Sequence, residues 1–355
     1  IDETQAQSEV NRLGNEISLL EDYFRHLSDA AYGKAVNWRS PVMLKKMLND
    51  LGFKCRGTDR DTLEGLRAHF HAEPIVNAIL ALRDRDKLHS NLKNSSRRRT
   101  GRWHASFKVA GTATGRLSSS KDPFGEGWNL QNLNDRTRRV FVPDFGKKLA
   151  YIDLEQAESR AVAYLSGDEN YIEACESGDL HTLVCQMVWP ELDWTGDLSA
   201  DKKIAEQIFY RFFTYRDMSK RGGHGTNYFG KAQTMAKHLK IPTPVMEEFQ
   251  SRYLERFPGI QEWWYRIMYD LMTDGWLMTP FGRFRRFFGR PNDDSTIRKA
   301  IAFEPQSLVS DIINTGLWRL WHQSNGIEVL AQIHDAVLFQ FPEDQEDTII
   351  PAATK

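Results

Sequence analysis

Apolar residues recur at helical spacing through most of the first hundred positions, and residues 1–37 read as one helix. Asn37, Ser40 and Pro41 then supply capping residues and an early-helix proline, opening a second helix through Leu44, Met47 and Leu48. Thr58-Asp59-Arg60-Asp61-Thr62-Leu63 is another capped start, and Ile75, Ile79, Leu82, Leu88 and Leu92 place a helix over 74–93. The texture changes after residue 103. Residues 107–110 and 148–153 read as strands, the second a short apolar run that ends on an acid. Residues 157–189 and 200–273 are mostly helical in pattern, 274–288 reads as a hairpin, and helix resumes over 295–323. Two strands, 328–333 and 336–341, flank His334-Asp335. The pattern predicts a mixed α+β protein, with a small sheet drawn from distant segments and two helical lobes around it.

The chain has 355 residues, 41% of them hydrophobic and 12% aromatic, which excludes a disordered chain and a coiled coil. Its 47 basic and 48 acidic residues leave a formal charge of −1, so the placement of charge carries the information. Between Arg83 and Lys108 nine basic residues stand against two acidic ones, and two basic clusters have aromatic neighbours. These are Arg97-Arg98-Arg99-Thr100-Gly101-Arg102-Trp103 and Phe281-Gly282-Arg283-Phe284-Arg285-Arg286-Phe287, runs that fit a phosphate-tracking channel better than mere solubility does. Cys55, Cys175 and Cys185 are odd in number and lack metal-type spacing, which argues for reduced thiols over a disulfide framework or zinc finger. No apolar run approaches the ~18 residues a membrane span needs, and Ile1-Asp2-Glu3-Thr4 has no signal-peptide character. A cytoplasmic protein with no membrane partner is expected, and the missing initial Met suggests a fragment.

Several constellations could carry chemistry. Asp153 closes an apolar strand and Asp335 sits between two others. Each alone reads as an ordinary cap or turn former. Together, 182 positions apart in sequence, they could hold two Mg2+ ions side by side, since Mg2+ favours a few carboxylates plus substrate phosphates. Arg216, Lys220, His224 and Tyr228 recur every four positions, which on a helix makes one slowly drifting stripe. A guanidinium fork and an ammonium suit a triphosphate tail, and an aromatic can stack on a base. Gly222, Gly223 and Gly225 each cost a helix interior about 1 kcal/mol, so close approach of a ligand or movement of the helix is expected. Thr112-Ala113-Thr114-Gly115-Arg116-Leu117-Ser118-Ser119-Ser120, followed by Asn129-Leu130-Gln131-Asn132, offers groups that contact sugar-phosphate backbone and groove edges.

These segments resemble, in order from about residue 70 to 341, the motifs of the family A DNA polymerases (the bacterial DNA polymerase I type, phage enzymes included). Asp153-Leu-Glu-Gln-Ala-Glu-Ser-Arg160, continuing to Asp168, is similar to motif A; Arg216, Lys220 and Tyr228 to motif B; His334-Asp335 to motif C. The Thr114–Ser119 stretch with Asn129–Asn132 is similar to the stretch leading into the palm, and Arg298 to Gln306 to the helix before motif C. The resemblance implies a right-hand architecture with a helical thumb (1–108), a palm with a small antiparallel sheet (109–170 and 274–355, its end incomplete) and helical fingers (171–273). It implies template-directed addition of deoxynucleotides to a primer 3′-hydroxyl by a two-metal mechanism, in replication or repair. Primer-template DNA, deoxynucleoside triphosphates and two Mg2+ ions (Mn2+ as substitute) are the implied partners and cofactors, with accessory proteins left open.

By residue, the resemblance makes Asp153, Asp335 and the Leu154 carbonyl metal ligands, and Lys220 a catalytic proton donor. Arg216, Lys220, His224, Tyr228, Gln156 and Glu158 would bind the nucleotide, with Glu158 excluding a ribose 2′-hydroxyl. Arg83, Lys87, Arg116, Asn129, Gln131, Asn132, Arg298, Gln306 and His334 would contact DNA. The sequence departs from the family pattern at Ala336 (usually Glu), His224 (usually Phe or Tyr), Ala302 (commonly Asn) and Phe229, which separates Tyr228 from Gly230. Such variation leans towards a phage-type enzyme in a bacterial or phage-infected cell. The family's proofreading domain would precede residue 1. A catalytically degenerate DNA-binding subunit and a single-subunit RNA polymerase are the rival readings. Glu158 opposes the second, and retention of Asp153, Lys220 and Asp335 together opposes the first.

Overall fold

The computed structural model describes every residue except 68, 96–101, 110, 125, 126, 128, 134, 212, 324, 325 and 355. Arg97, Arg98 and Arg99 therefore lie outside the described residues, as does the side chain of Asn132. The chain forms two compact units, Ile1–Ser106 with Ser119–Gly146, and Phe107–Ser118 with Lys147–Lys355. Residues 119–146 thus group with the N-terminal helices, although the sequence places them with the palm.

In the first unit α1 (Glu3–Tyr32) starts at Asp2, whose carboxylate accepts from Gln5 N–H, and stops at Gly33, whose φ of 73° only glycine adopts freely. The helix ends five residues earlier than the pattern predicts because that glycine stops it. The next two starts follow the capping rules. Ser40 caps α2 (Pro41–Asp50) with proline in its first turn, and Asp59 caps α3 (Arg60–Leu66). These helices and α4 (Glu73–Ser95) bury Phe24, Trp38, Leu44, Met47, Leu48, Leu63, Val76 and Ile79 in one core. Glu16 on α1 accepts from Arg85 on α4 and from Arg136 on α5 (Asp135–Arg138), and the bond from Arg136 leads the effects that lower its pKa. Two short strands, β1 (Ser106–Lys108) and β2 (Ser118–Ser120), lie where the chain passes between the units.

The second unit is built on a three-stranded antiparallel sheet in the order β3 (Lys147–Asp153), β9 (Ala336–Pro342), β8 (Glu328–Ile333). Val337, Phe339, Phe341, Ala150 and Ile313 fill one side of it. A larger core gathers α6 (Ala157–Ser166), α7 (Glu169–Glu176), α8 (Leu180–Val188), α13 (Thr243–Arg256), α14 (Pro258–Thr273) and α15 (Asp294–Gln323) around Phe249, Tyr253, Phe257, Trp263 and Phe303. Between α8 and α13 lie α9 (Leu198–Ala205), α10 (Tyr215–Asp217), α11 (Gly223–Asn227) and α12 (Ala232–Leu239). A hairpin of β4 (Ile208–Tyr210) and β5 (Phe213–Thr214) interrupts the stretch that the sequence predicts as helical. Its register shifts at a bulge, and Arg211 takes a φ of 53° at the turn, so the span is too short and irregular to show a period of two. The predicted hairpin over 274–288 is present as β6 (Trp276–Met278) paired with β7 (Phe284–Arg286), and the chain closes with α16 (Glu346–Ala353).

Asp168 ties two of these helices together. One carboxylate oxygen accepts from Tyr171 N–H at 2.8 Å, capping α7, and the other from Gly259 N–H at 2.8 Å, at the start of α14. Glycine is required at 259, because a Cβ there would lie 2.8 Å from the Asp168 Cβ. Asp168→Ala removes both acceptors from a buried position and is expected to lower the unfolding free energy by about 2–3 kcal/mol. A urea titration checks this, the expected result being a lower midpoint at unchanged slope.

Candidate active site

The register of β3 against β9 positions the acids. Asp153, the last residue of β3, lies opposite Ala336, the first of β9, and Leu154 N–H donates to the Asp335 carbonyl at 3.1 Å. The two acids therefore stand at the same end of one sheet, on adjoining strands, with Asp153 exposed and Asp335 half-buried. The turn that carries Asp335 is two residues long, and His334 takes a φ of 59° in it, an αL position that costs a non-glycine residue about 1 kcal/mol or more. Gln332 Nε2 holds the His334 carbonyl at 2.9 Å, and the His334 ring is exposed. Ala336 is fully buried between β3 and β8. Among the described residues no group of three or more His, Cys, Asp or Glu side chains could hold a metal. Two carboxylates beside a main-chain carbonyl form an oxygen-only donor set, which fits the small number of protein ligands Mg2+ takes.

Beyond Asp153 the chain turns through Gln156, another αL residue (φ 53°), into α6. The Gln156 Oε1 is buried without a hydrogen-bond partner. Glu158, in the first turn of α6, is a point of convergence. It accepts from Arg116 Nη2 and from the Tyr228 hydroxyl at 2.6 Å, and His224 Nε2 lies 3.9 Å away. Burial, followed by the Glu158 charge, raises the Tyr228 pKa, so this phenol stays a donor. Arg116 reaches Glu158 from a loop braced by α15. Arg283 pairs with Asp311, and Asn314 Nδ2 donates to the Gly115 carbonyl at 3.4 Å. A Cβ at Gly115 would collide with the Arg283 guanidinium.

The stripe predicted from Arg216 to Tyr228 is not one regular helix. Thr214 and Asp217 form a capping box that starts α10. Residues Met218–Gly222 form a π turn, and α11 follows. The extra residue in that turn changes the phase of the side chains, so the stripe divides. His224 and Tyr228 face Glu158, whereas Arg216 Nη2 donates to Asp179 Oδ1 at 2.9 Å and Lys220 is exposed. The glycines at 222 and 223 have a packing reason. A Cβ on Gly222 would stand 2.7 Å from the Phe249 ring, and one on Gly223 3.1 Å from the Tyr253 ring. Asn227, fully buried, anchors the far end. Its Nδ2 donates to the Tyr171 hydroxyl at 2.8 Å, its Oδ1 accepts from the Tyr253 hydroxyl at 2.9 Å, and its carbonyl accepts from Trp264 Nε1 at 2.9 Å. The helix then closes in a Schellman arrangement with Phe229 as the αL residue (φ 59°), Gly230 N–H bonding back to the Gly225 carbonyl at 2.9 Å. That accounts for the inserted Phe229. Gly230 is needed one place later, because a Cβ there would lie 2.7 Å from the Gly225 carbonyl oxygen.

Two residues absent from the sequence prediction join this site. Asp179 caps α8, and His181 lies beside it. Burial, with the nearby Arg216 and Lys220 charges, lowers the His181 pKa to about 4, so at neutral pH it is an uncharged imidazole. A lone histidine in an apolar helix gives no sequence signal by itself. The sequence pattern gives only a mostly helical stretch over 157–189, and the fold is what brings Asp179 to Arg216. Behind it, burial pushes the Cys185 thiol up to about 12, which makes it an inert core residue.

The remaining predicted contacts vary in availability. Arg298 and Gln306 lie half-buried on α15 in the second unit. In the first unit Lys87 is exposed, but the Arg83 guanidinium is bound to the Thr58 carbonyl and hydroxyl. Asn129 and Gln131 also have local structural bonds. Asn129 Oδ1 accepts from Gln131 N–H at 3.0 Å, and Gln131 Oε1 accepts from Ser119 N–H at 3.2 Å. Arg102 pairs with Asp144, and Trp103 packs edge-on against Phe141.

A small antiparallel sheet presenting two acids at one end, beside a helical lobe that carries cations, defines a polymerase-type palm and its neighbouring helices. The family model for DNA polymerase family A matches residues 4–355, and the chain belongs to that family. It is 30% identical over 312 residues to the thermostable DNA polymerase I of Thermus aquaticus, covering 83% of this chain and 35% of that protein. With the DNA polymerase I of Mycobacterium tuberculosis it shares 29% identity over 361 residues, 92% of this chain and 37% of the relative. The chain thus spans about a third of the length of the curated relatives it matches. The POL domain of Pol1 from M. smegmatis, solved in complex with DNA primer-template and dNTP, has the same fold. It superposes with a TM-score of 0.83 at 24% identity, over 99% of this chain and 62% of that one.

The His181 shift makes a prediction about acid stability. The unfolded imidazole takes up its proton near pH 6.5, whereas the folded one resists until about pH 4. Its contribution to stability is therefore intact above pH 6.5 and is lost progressively as the pH falls towards 4. His181→Gln removes that loss. Between pH 7 and pH 4.5 the urea midpoint of the variant should fall by less than that of the unaltered chain, and equal falls would refute the assignment.

Proposed function

We propose that this chain is the catalytic polymerase region of a template-directed DNA polymerase, extending a primer 3′-hydroxyl from deoxynucleoside triphosphates and releasing pyrophosphate. The observation that carries the reading is the pairing of Asp153 with Ala336, which puts two acids from distant segments at one end of one sheet. Asp153, Asp335 and the Leu154 carbonyl would hold Mg2+ (Mn2+ as substitute), which when bound neutralises charge on the attacking and leaving oxygens. Arg216, Lys220 and the neutral His181 form the polar wall for a triphosphate, and Lys220 gives a proton to the departing pyrophosphate. Catalysis by such a site is positioning and charge neutralisation.

Glu158 sets the choice of sugar. Arg116 and Tyr228 hold its carboxylate in place, so it fills the space that a ribose 2′-hydroxyl would need. Its pairing with Arg116 also couples the nucleotide pocket to a loop assigned to DNA contact. Arg298, Gln306, His334, Lys87, Arg83, Asn129, Gln131 and Asn132 are assigned to duplex contacts. The local bonds of Arg83, Asn129 and Gln131 make them the least available of these. Division into thumb, palm and fingers follows the same reading.

Asp153→Ala or Asp335→Ala is expected to abolish extension of a labelled primer-template in Mg2+ while leaving duplex binding nearly unchanged. Extension at the normal rate by either variant would remove the catalytic assignment. Failure of the unaltered chain to extend at all would favour a DNA-binding accessory subunit. Glu158→Ala should raise ribonucleotide incorporation relative to deoxynucleotide by roughly tenfold or more, since a filled space is being opened. A competition assay with matched ribo- and deoxynucleotides measures that ratio, and an unchanged ratio would place sugar selection elsewhere.

A further inference from the structure

We infer that Asp179 is a positioning residue for Arg216, holding its guanidinium ready for the triphosphate. The inference rests on the nucleotide-binding reading of Arg216 given above. Asp179 Oδ1 accepts from Arg216 Nη2 at 2.9 Å, and the pair is partly shielded, with 20% of the Asp179 side chain and 29% of the Arg216 side chain exposed. Asp179 is itself held firmly. It accepts from Thr182 N–H at 3.3 Å and from the Thr182 hydroxyl at 2.8 Å, at the start of a nine-residue helix. Burial alone would raise the Asp179 pKa, but the Thr182 and Arg216 bonds outweigh it and leave the carboxylate below its ordinary range.

The Arg216 Nε is buried with no hydrogen-bond partner, so the guanidinium is held in a pose that its surroundings on α10 do not fully satisfy. An arginine on a free stem loses about 2 kcal/mol of rotamer freedom when it is fixed. A guanidinium already fixed by Asp179 has met that cost before a nucleotide arrives. The carboxylate also offsets repulsion between the Arg216 and Lys220 charges, the two cations that help keep His181 neutral. Asp179 touches no reacting atom in this scheme and acts through Arg216 alone.

The test separates charge from capping. Asp179→Asn and Asp179→Ser both keep a good helix-capping acceptor for Thr182 while removing the carboxylate. The readouts are KM and kcat for a correct deoxynucleotide, and the Kd of the next correct deoxynucleotide on a dideoxy-terminated primer-template with Mg2+. Losing one charge-assisted bond is expected to raise KM and Kd roughly tenfold, with kcat changed by no more than about twofold. In an Arg216→Ala background the same substitutions should have no further effect, since the partner they act through is gone. If Asp179→Asn leaves Kd unchanged or lowers it, or adds its full effect to Arg216→Ala, the positioning role is overturned. If Arg216→Ala alone leaves Kd unchanged, the triphosphate reading itself fails and this inference with it.

Discussion

The two acids to which the proposed reading gives a joint role lie far apart in the chain, and the pairing of β3 with β9 is what brings them to one end of one sheet. A strand alternates its side chains with a period of two, so a slip of one residue would turn Asp153 to the other face and bury what must be open. The core prevents the slip. Ala150, Val337, Phe339 and Phe341 pack on one side of the sheet, and each would be misplaced by a change of register. The turn at His334-Asp335 adds a second restraint, since β8 and β9 meet there at Ile333 and Ala336 with only two residues between. Buried Ala336 fits this arrangement: the strand beside it approaches closely, and the position supports the sheet without adding a third acid.

The helical side of the site depends on a different device. Asn227 is a buried polar node with little freedom to shift, its side-chain amide bonded to two tyrosine hydroxyls and its main-chain carbonyl to a tryptophan N–H. Tyr228 follows it directly, so the hydroxyl that meets Glu158 inherits its position from the core. The π turn upstream has the opposite character. Its wider spacing lets Arg216 turn to Asp179 while His224 and Tyr228 turn to Glu158, so one short segment serves two groups of partners.

Much of this was legible in the chain. The capped starts at Ser40 and Asp59, the strands around Asp153 and Asp335, and the hairpin at 274–288 rest on local patterns, and local physics decided them. What was hidden depended on distant contacts. Four-residue spacing is the same in an α-helix and in one with a π turn, so the divided stripe could not be seen from Arg216, Lys220, His224 and Tyr228. The glycines at 222 and 223 were expected to serve ligand approach or motion, yet their neighbours are the Phe249 and Tyr253 rings, about 30 residues on in sequence. Asp179 and His181 carried ordinary helix-start chemistry, and only the fold gave them a role. Asn129 and Gln131 show the converse: side chains suited to groove contacts also carry bonds inside the fold, Asn129 to the Gln131 N–H and Gln131 to the Ser119 N–H.

A site for a polyanion raises a general electrostatic problem, because cations gathered for a ligand repel one another until it arrives. At the proposed triphosphate site the chain would meet it without a large basic surplus, its total charge being −1. Lys220 is exposed, so water screens it. His181 is kept uncharged by burial and by its cationic neighbours, so it can serve the site as a hydrogen-bonding group without adding charge. Arg216, which cannot lose its proton, is given one carboxylate at a fixed distance. Solvent, neutralisation and a counter-ion each answer one member of the cluster, and the third requires Asp179 to be rigid. Its bonds to Thr182 at the start of α8 supply that rigidity, which makes a helix cap part of the electrostatics of the pocket.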